Sequence, residues 1–486
     1  MRSLLALVAA CAVLCCARSA EAQPVGQFPF ALTREGQMLG AVEGEVASFK
    51  GLAYAAPPVG ALRWRAPQPT TESSEMRTAY DYGAPCLQPS LQDASEDCLT
   101  LNVFRPFGVD GSLPVMVFIH GGGFVSGTAN DPLFDGARLA QAGLIVVTVN
   151  YRLGALGWIV HAALSDSGGN YGLMDQIAAL HWVHDNIAAF GGDPDNVTLL
   201  GSDAGATSVA LLMLSAQSRD LFQKAILQSV PARARLRSVQ EAEAIGRQFV
   251  AALGADLRAA EPRRVLAAER QLLEKSPRSF APTMDGRLVT EDLAPGFTAG
   301  RQSRIPLIIG SNDDETGLDD EIDIKKALAS SGIPSDELRK LYPDLARNSD
   351  LAARFYTDKV FSEPARLLAR LHVASGAPTF RYRFAYVPEA RRANPEAGHG
   401  RELQFIFGAE GVPGAGILSR GDRGLASRMR AYWINFARSG DPNGPDLPRW
   451  DTASGDRLLL ITNDRIASGD DPLAERLDRL AGEGSK

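Results

Sequence analysis

The stretch Leu199-Leu200-Gly201-Ser202-Asp203-Ala204-Gly205 has the spacing of a reactive turn. It follows an apolar run of strand type and precedes a helical pattern. Glycines two residues before and two after a central position permit a strained strand-to-helix turn that lifts the middle side chain. That side chain is Asp203. A carboxylate can attack an ester carbonyl, but the adduct mostly collapses back, because carboxylate leaves far more easily than alkoxide. On saturated carbon, attack would make an ester of Asp203 itself, which water must then cleave. Ser202 is the other candidate, in a register shifted by one. That register puts Leu200 and Ala204 at positions that need the smallest residues, and a Cβ at both makes the turn costly. A second run, His120-Gly121-Gly122-Gly123-Phe124, lies between an apolar strand and an aromatic residue.

These residues must be held by a sheet. Pro114–Ile119, Leu144–Val149 and Val197–Leu200 read as continuous apolar strands buried on both faces, and Ile305–Ile309 and Thr379–Tyr386 add two more. Asp175–Phe190 has helical periodicity and stops at Gly191-Gly192; Ser238–Lys275 is helical and charged. This alternation predicts an α/β fold with a largely parallel central sheet and helices on both faces. Ligands in such sheets sit beyond the carboxyl ends of the strands.

Several further stretches resemble the type-B carboxylesterase family in the family's own order. Phe49-Lys50-Gly51, Pro57-Pro58-Val59-Gly60 and Leu62-Arg63-Trp64 resemble its N-terminal signature. Glu96-Asp97-Cys98-Leu99-Thr100-Leu101-Asn102-Val103 resembles its second. The run His120–Phe124 resembles its oxyanion loop, and Phe190-Gly191-Gly192-Asp193-Pro194 leads into the turn at 203 as it does in that family. Tyr432-Trp433-Ile434-Asn435-Phe436 and Gly440-Asp441-Pro442-Asn443-Gly444 resemble its C-terminal stretch. The resemblance spans about Phe49 to Trp450 and implies an α/β-hydrolase fold. It also implies a triad with the nucleophile position at Asp203, the acid at Glu315 and the base at His399, and an oxyanion hole from the N–H groups of Gly122, Gly123 and Ala204. Such donors are worth about 3–4 kcal/mol each at a developing oxyanion. Among the six histidines, His120 belongs to the glycine loop, His181 and His184 lie on a helix without further metal ligands, and His161 and His372 have no motif around them; His399 remains. Nothing in the chain calls for a metal or another cofactor.

The family has serine where this chain has Asp203, so three readings stand. One is a carboxylic ester hydrolase by descent, weak or inactive as a serine esterase. Another is a non-catalytic binding protein on the esterase fold. The third is a hydrolase using Asp203 as nucleophile on saturated carbon, of epoxide or haloalkane type. The expected ligand is a small-molecule ester or a similar apolar compound. Leu87–Asp97 contains no Phe, Tyr or Trp, which argues against choline esters.

Lys plus Arg is 50 and Asp plus Glu 57, a net charge of −7, which argues against nucleic acid or anionic lipid as partners. Arg2, the apolar run Leu4–Ala17 and Ala20-Glu21-Ala22 read as a secretory signal peptide over residues 1–22, leaving 23–486 as one esterase-type domain, secreted or periplasmic. The run is too short to span a bilayer, which takes about 20 residues. Cys86 and Cys98 are the two cysteines left after the leader, and an oxidising compartment favours a disulfide between them, which is also the bridge that the family resemblance implies. N-terminal sequencing of exported protein should begin at Gln23, and material beginning at Met1 would refute the leader.

Overall fold

Alternating side chains divide the central strands between two cores. In Leu113–Ile119, Val115, Val117 and Ile119 enter one apolar cluster, while Met116 and Phe118 enter the other. Such a strand is apolar at every position because both faces are covered. The computed structural model describes residues 28–164, 168–316, 332–345, 347–392 and 398–482. The leader expected over residues 1–22 lies outside them.

The main sheet has eleven strands. From one edge to the other they are Ile466–Asp470, Arg457–Ile461, Thr379–Phe384, Leu307–Asn312, Lys224–Gln228, Gly192–Ser202, Leu113–Ile119, Ile145–Val149, Thr100–Pro106, Val46–Ala53 and Ala41–Glu43. The pairings from Arg457–Ile461 across to Ile145–Val149 are parallel, and those toward both edges are antiparallel. Tyr171–Asn186 and Ala204–Leu214 pack on one face; Arg401–Phe407 and Arg420–Ser439 pack on the other. This is the α/β-hydrolase arrangement expected from the sequence.

Boundaries moved for local reasons. The strand expected over Val197–Leu200 runs from Gly192 to Ser202, because Leu113 pairs with Gly192 before the regular ladder starts. The helix expected from Asp175 begins at Tyr171; it ends at Asn186, and a 3₁₀ turn Ile187–Phe190 closes on left-handed Gly191. Ser238–Lys275 is two helices, Val239–Leu253 and Pro262–Leu273. Gly254, left-handed, caps the first, and Pro262 opens the second, where its missing N–H costs nothing. No helix among the described residues is long and apolar enough to cross a membrane.

Cys86 and Cys98 are bonded to each other. The loop they close carries Gln88, whose amide donates to Gly127 O (2.8 Å) and accepts from Gly127 N (3.0 Å). It also carries Glu96, in a buried bidentate pair with Arg63. The bridge thus braces the segment just after the glycine run. Cys98→Ser should lower the unfolding free energy by roughly 3 kcal/mol in denaturant titration, as loop-closure entropy predicts for so short a loop; an unchanged midpoint would count against this.

Candidate active site

Asp203 stands alone between the strand Gly192–Ser202 and the helix Ala204–Leu214, with φ 54° and ψ −118°. That conformation costs a non-glycine residue on the order of 1–3 kcal/mol. Its neighbours impose it. A Cβ at Gly205 would lie 2.0 Å from Ile119 O, and one at Gly201 would lie 2.3 Å from Gly205 O. Only glycine fits at either place, so the helix starts hard against the adjacent strand and residue 203 turns outward. Ser202 is still a strand residue, paired with Gln228 and buried. The lifted side chain is therefore that of Asp203.

The glycine run faces it. Gly122, Gly123 and Phe124 all have positive φ, and a Cβ at Gly122 would collide with Ser126 O. The N–H groups of Gly122 and Gly123 both donate to Asp203 Oδ2, at 2.9 and 3.0 Å. The loop is pinned from behind: Phe124 O accepts from Gly154 N and from Trp158 Nε1, and Tyr151 OH donates to His120 O. The His120 ring stacks on Tyr151, and burial pushes its pKa down to about 4, so it is neutral. Ala204 is the first residue of the helix, next to Asp203 in the chain.

Glu315 lies three residues past the strand Leu307–Asn312 and is buried. Its Oε1 accepts from Asn312 N (2.6 Å) and Ser229 Oγ (2.7 Å); its Oε2 is 2.6 Å from His399 Nδ1. His399 Nε2 is 3.7 Å from Asp203 Oδ1. Asp203, His399 and Glu315 thus form one continuous line. Burial by itself would lower the His399 pKa. The charge and hydrogen bond of Glu315, then the charges of Asp203 and Glu402, outweigh it and lift the value to about 9. At neutral pH the ring is an imidazolium between two carboxylates.

Sequence reasoning missed the groups behind this line. Glu402, one helical turn beyond His399, is fully buried and accepts from Gln228 Nε2 (2.8 Å) and Asn312 Nδ2 (2.6 Å); burial and the Glu315 charge push it up to about 7. Its place in the Gly398–Leu403 stretch was the available signal. A five-residue π-helical turn, Asp358–Ser362, joins the helices Asn348–Thr357 and Glu363–Ala374. Thr357 Oγ1 accepts from Glu315 N (3.0 Å), and the Phe361 ring lies 5.4 Å from that of His399. Nothing in the sequence pattern marks this turn.

Fold and site together define a member of the carboxylesterase family. A profile of the Carboxylesterase family matches residues 27–348 and 335–472, so the chain belongs to it. It is 36% identical over 481 residues to the fumonisin B1 esterase of Sphingopyxis macrogoltabida, covering 90% of this chain and 87% of that one. It is 34% identical over 492 residues to the para-nitrobenzyl esterase of Bacillus subtilis (strain 168), covering 92% and 97%. A solved PNB esterase superposes with a TM-score of 0.83 at 34% identity, covering 93% of this chain and 99% of its own. The Geobacillus stearothermophilus carboxylesterase does so with a TM-score of 0.83 at 31% identity and the same coverage.

The raised His399 value has a definite thermodynamic sign. It lies above the ordinary imidazole value of about 6.5, so its contribution to stability is complete below that pH and is lost as pH climbs through about 9. Unfolding free energies measured across that window should decline, and His399→Gln should flatten the decline. Asp203→Ser removes one of the charges that raise the value, so the imidazole proton resonances of His399 should titrate at lower pH than in the parent.

Proposed function

We propose that this carboxylesterase-family protein takes small, largely apolar ester-like ligands at the carboxyl ends of its strands and hydrolyses carboxylic esters poorly. In this reading it is exported after loss of residues 1–22, and 23–486 act as one domain. Asp203 stands at the nucleophile position, with Glu315 and His399 as acid and base positions and the N–H groups of Gly122, Gly123 and Ala204 as the oxyanion hole. The observation that carries it is the seat of Asp203 Oδ2 on the N–H groups of Gly122 and Gly123. Those donors serve an ester only if its carbonyl oxygen can occupy the same seat. Asp203 fills it, and its charge helps to hold His399 as an imidazolium, which has no lone pair for a nucleophile's proton.

A second reading is favoured by the division between the two Asp203 oxygens. Oδ2 is held by the loop, while Oδ1 faces His399 Nε2 at 3.7 Å. An alkyl ester formed on Oδ1 would already carry its carbonyl oxygen in the N–H seat. This supports Asp203 as a nucleophile toward saturated carbon.

Asp203→Ser empties the seat and supplies a hydroxyl beside His399. Hydrolysis of a short p-nitrophenyl ester should then rise by several orders of magnitude, the scale lost when a triad nucleophile is removed. His399→Ala in that background should abolish the gain. Ordinary esterase rates in the unaltered protein that survive Asp203→Ala would overturn the reading.

A further inference from the structure

We propose that Asp203 and His399 act as a nucleophile–acid pair that opens epoxides, which narrows, and rests on, the saturated-carbon reading above. The two groups present a carboxylate oxygen and a ring N–H side by side, Oδ1 and Nε2 being 3.7 Å apart. Both keep some access to solvent, Asp203 at 22% and His399 at 10% side-chain exposure, and Gly123 beside them is exposed. A neutral electrophile can therefore reach Oδ1.

The leaving group decides the substrate class. A halide departs as a stable anion and gains little from a proton donor. An epoxide oxygen departs as an alkoxide and must be protonated as its carbon–oxygen bond breaks. His399 carries that proton through neutral pH, because Glu315, Asp203 and Glu402 face it from three different elements. The π-helical turn adds only the apolar Phe361 ring, and the Asp358 on that turn is paired instead with Arg476 and Tyr342.

The cycle closes without any co-reactant except water. Oδ1 attacks an epoxide carbon, forming a carbon–oxygen bond to Asp203. The ring carbon–oxygen bond breaks, and its electron pair takes the proton from His399 Nε2. The products of this step are a hydroxyalkyl ester of Asp203 and a neutral His399. Neutral His399, with Nδ1–H held by Glu315, then takes a proton from water, whose oxygen attacks Cγ. Negative charge develops on Oδ2, already between the N–H groups of Gly122 and Gly123. Collapse expels the alkoxide, which His399 protonates to release a 1,2-diol. The proton of the new carboxylic acid passes to His399, restoring Asp203 carboxylate and imidazolium. A serine esterase must start with neutral histidine; this cycle starts and ends with the charged one.

The test uses the full exported protein with two probes, styrene oxide and bromohexane, each in oxygen-18 water, with acid quench and mass spectrometry of the Asp203 peptide. The expected result is a transient styrene oxide adduct on that peptide, then oxygen-18 in the Asp203 side chain, with diol released. Asp203→Ala should show neither while remaining folded by circular dichroism. Adduct formation should fall about tenfold per pH unit above about 9, as His399 loses its proton. If bromohexane labels Asp203 and styrene oxide does not, the epoxide proposal fails while the saturated-carbon reading stands. If styrene oxide reacts with no fall above pH 9, His399 is not the acid and the pairing is overturned. If neither probe labels Asp203, both readings fail and ligand binding without chemistry remains.

Discussion

One close approach organises the centre of this molecule: the backbone of Gly205 against the carbonyl of Ile119, with no room for a Cβ. From it follow the abrupt start of the helix Ala204–Leu214, the left-handed backbone of residue 203 and the outward aim of its side chain. The glycine run His120–Phe124 leaves the end of the strand that carries Ile119, so the same contact sets loop and turn facing each other. A residue in a strained conformation persists only where its surroundings over-determine it. Here strand, helix and loop all do so.

Around that turn the site is a line of alternating charge. Asp203, His399 and Glu315 follow one another through contacts of 3.7 and 2.6 Å, with Glu402 buried behind. Each carboxylate has donors of its own: backbone N–H groups for Asp203, Ser229 and Asn312 for Glu315, and Gln228 and Asn312 for Glu402. Buried charges are tolerated when hydrogen-bonded and paired, and this row meets both conditions. The scaffold of a serine esterase thus accepts an additional negative charge at residue 203 by keeping its histidine protonated.

The sequence disclosed the chemistry of this region unevenly. The turn at Asp203 was legible because glycine at 201 and 205 has a local cause, a collision that any Cβ would make. Central strands were legible because burial on both faces leaves an uninterrupted apolar run, as at Ile145–Val149. Glu315 and His399 could be placed only by resemblance, since a carboxylate after a strand and a histidine before a helix have many other uses. Ser229, Thr357 and Phe361 were not legible at all. They reach the site through long-range packing, and single polar or aromatic residues at element ends carry no periodic signature. Which Asp203 oxygen faces which partner is likewise a property of three dimensions.

The π-helical turn Asp358–Ser362 carries a consequence for how this gene can change. It holds one more residue per hydrogen-bonded ring than the helices on either side. Loss of a single codon there would let the segment relax to ordinary α-helix, rotating all that follows by about 100° about the axis. Thr357, which meets Glu315, precedes the wide turn, while Phe361, which covers His399, lies within it. The two could not then both face the site. Substitutions along Asn348–Ala374 can be absorbed one side chain at a time, but the reading length of this segment is fixed, and a one-residue deletion would separate the environments of the acid and the base in a single mutational step.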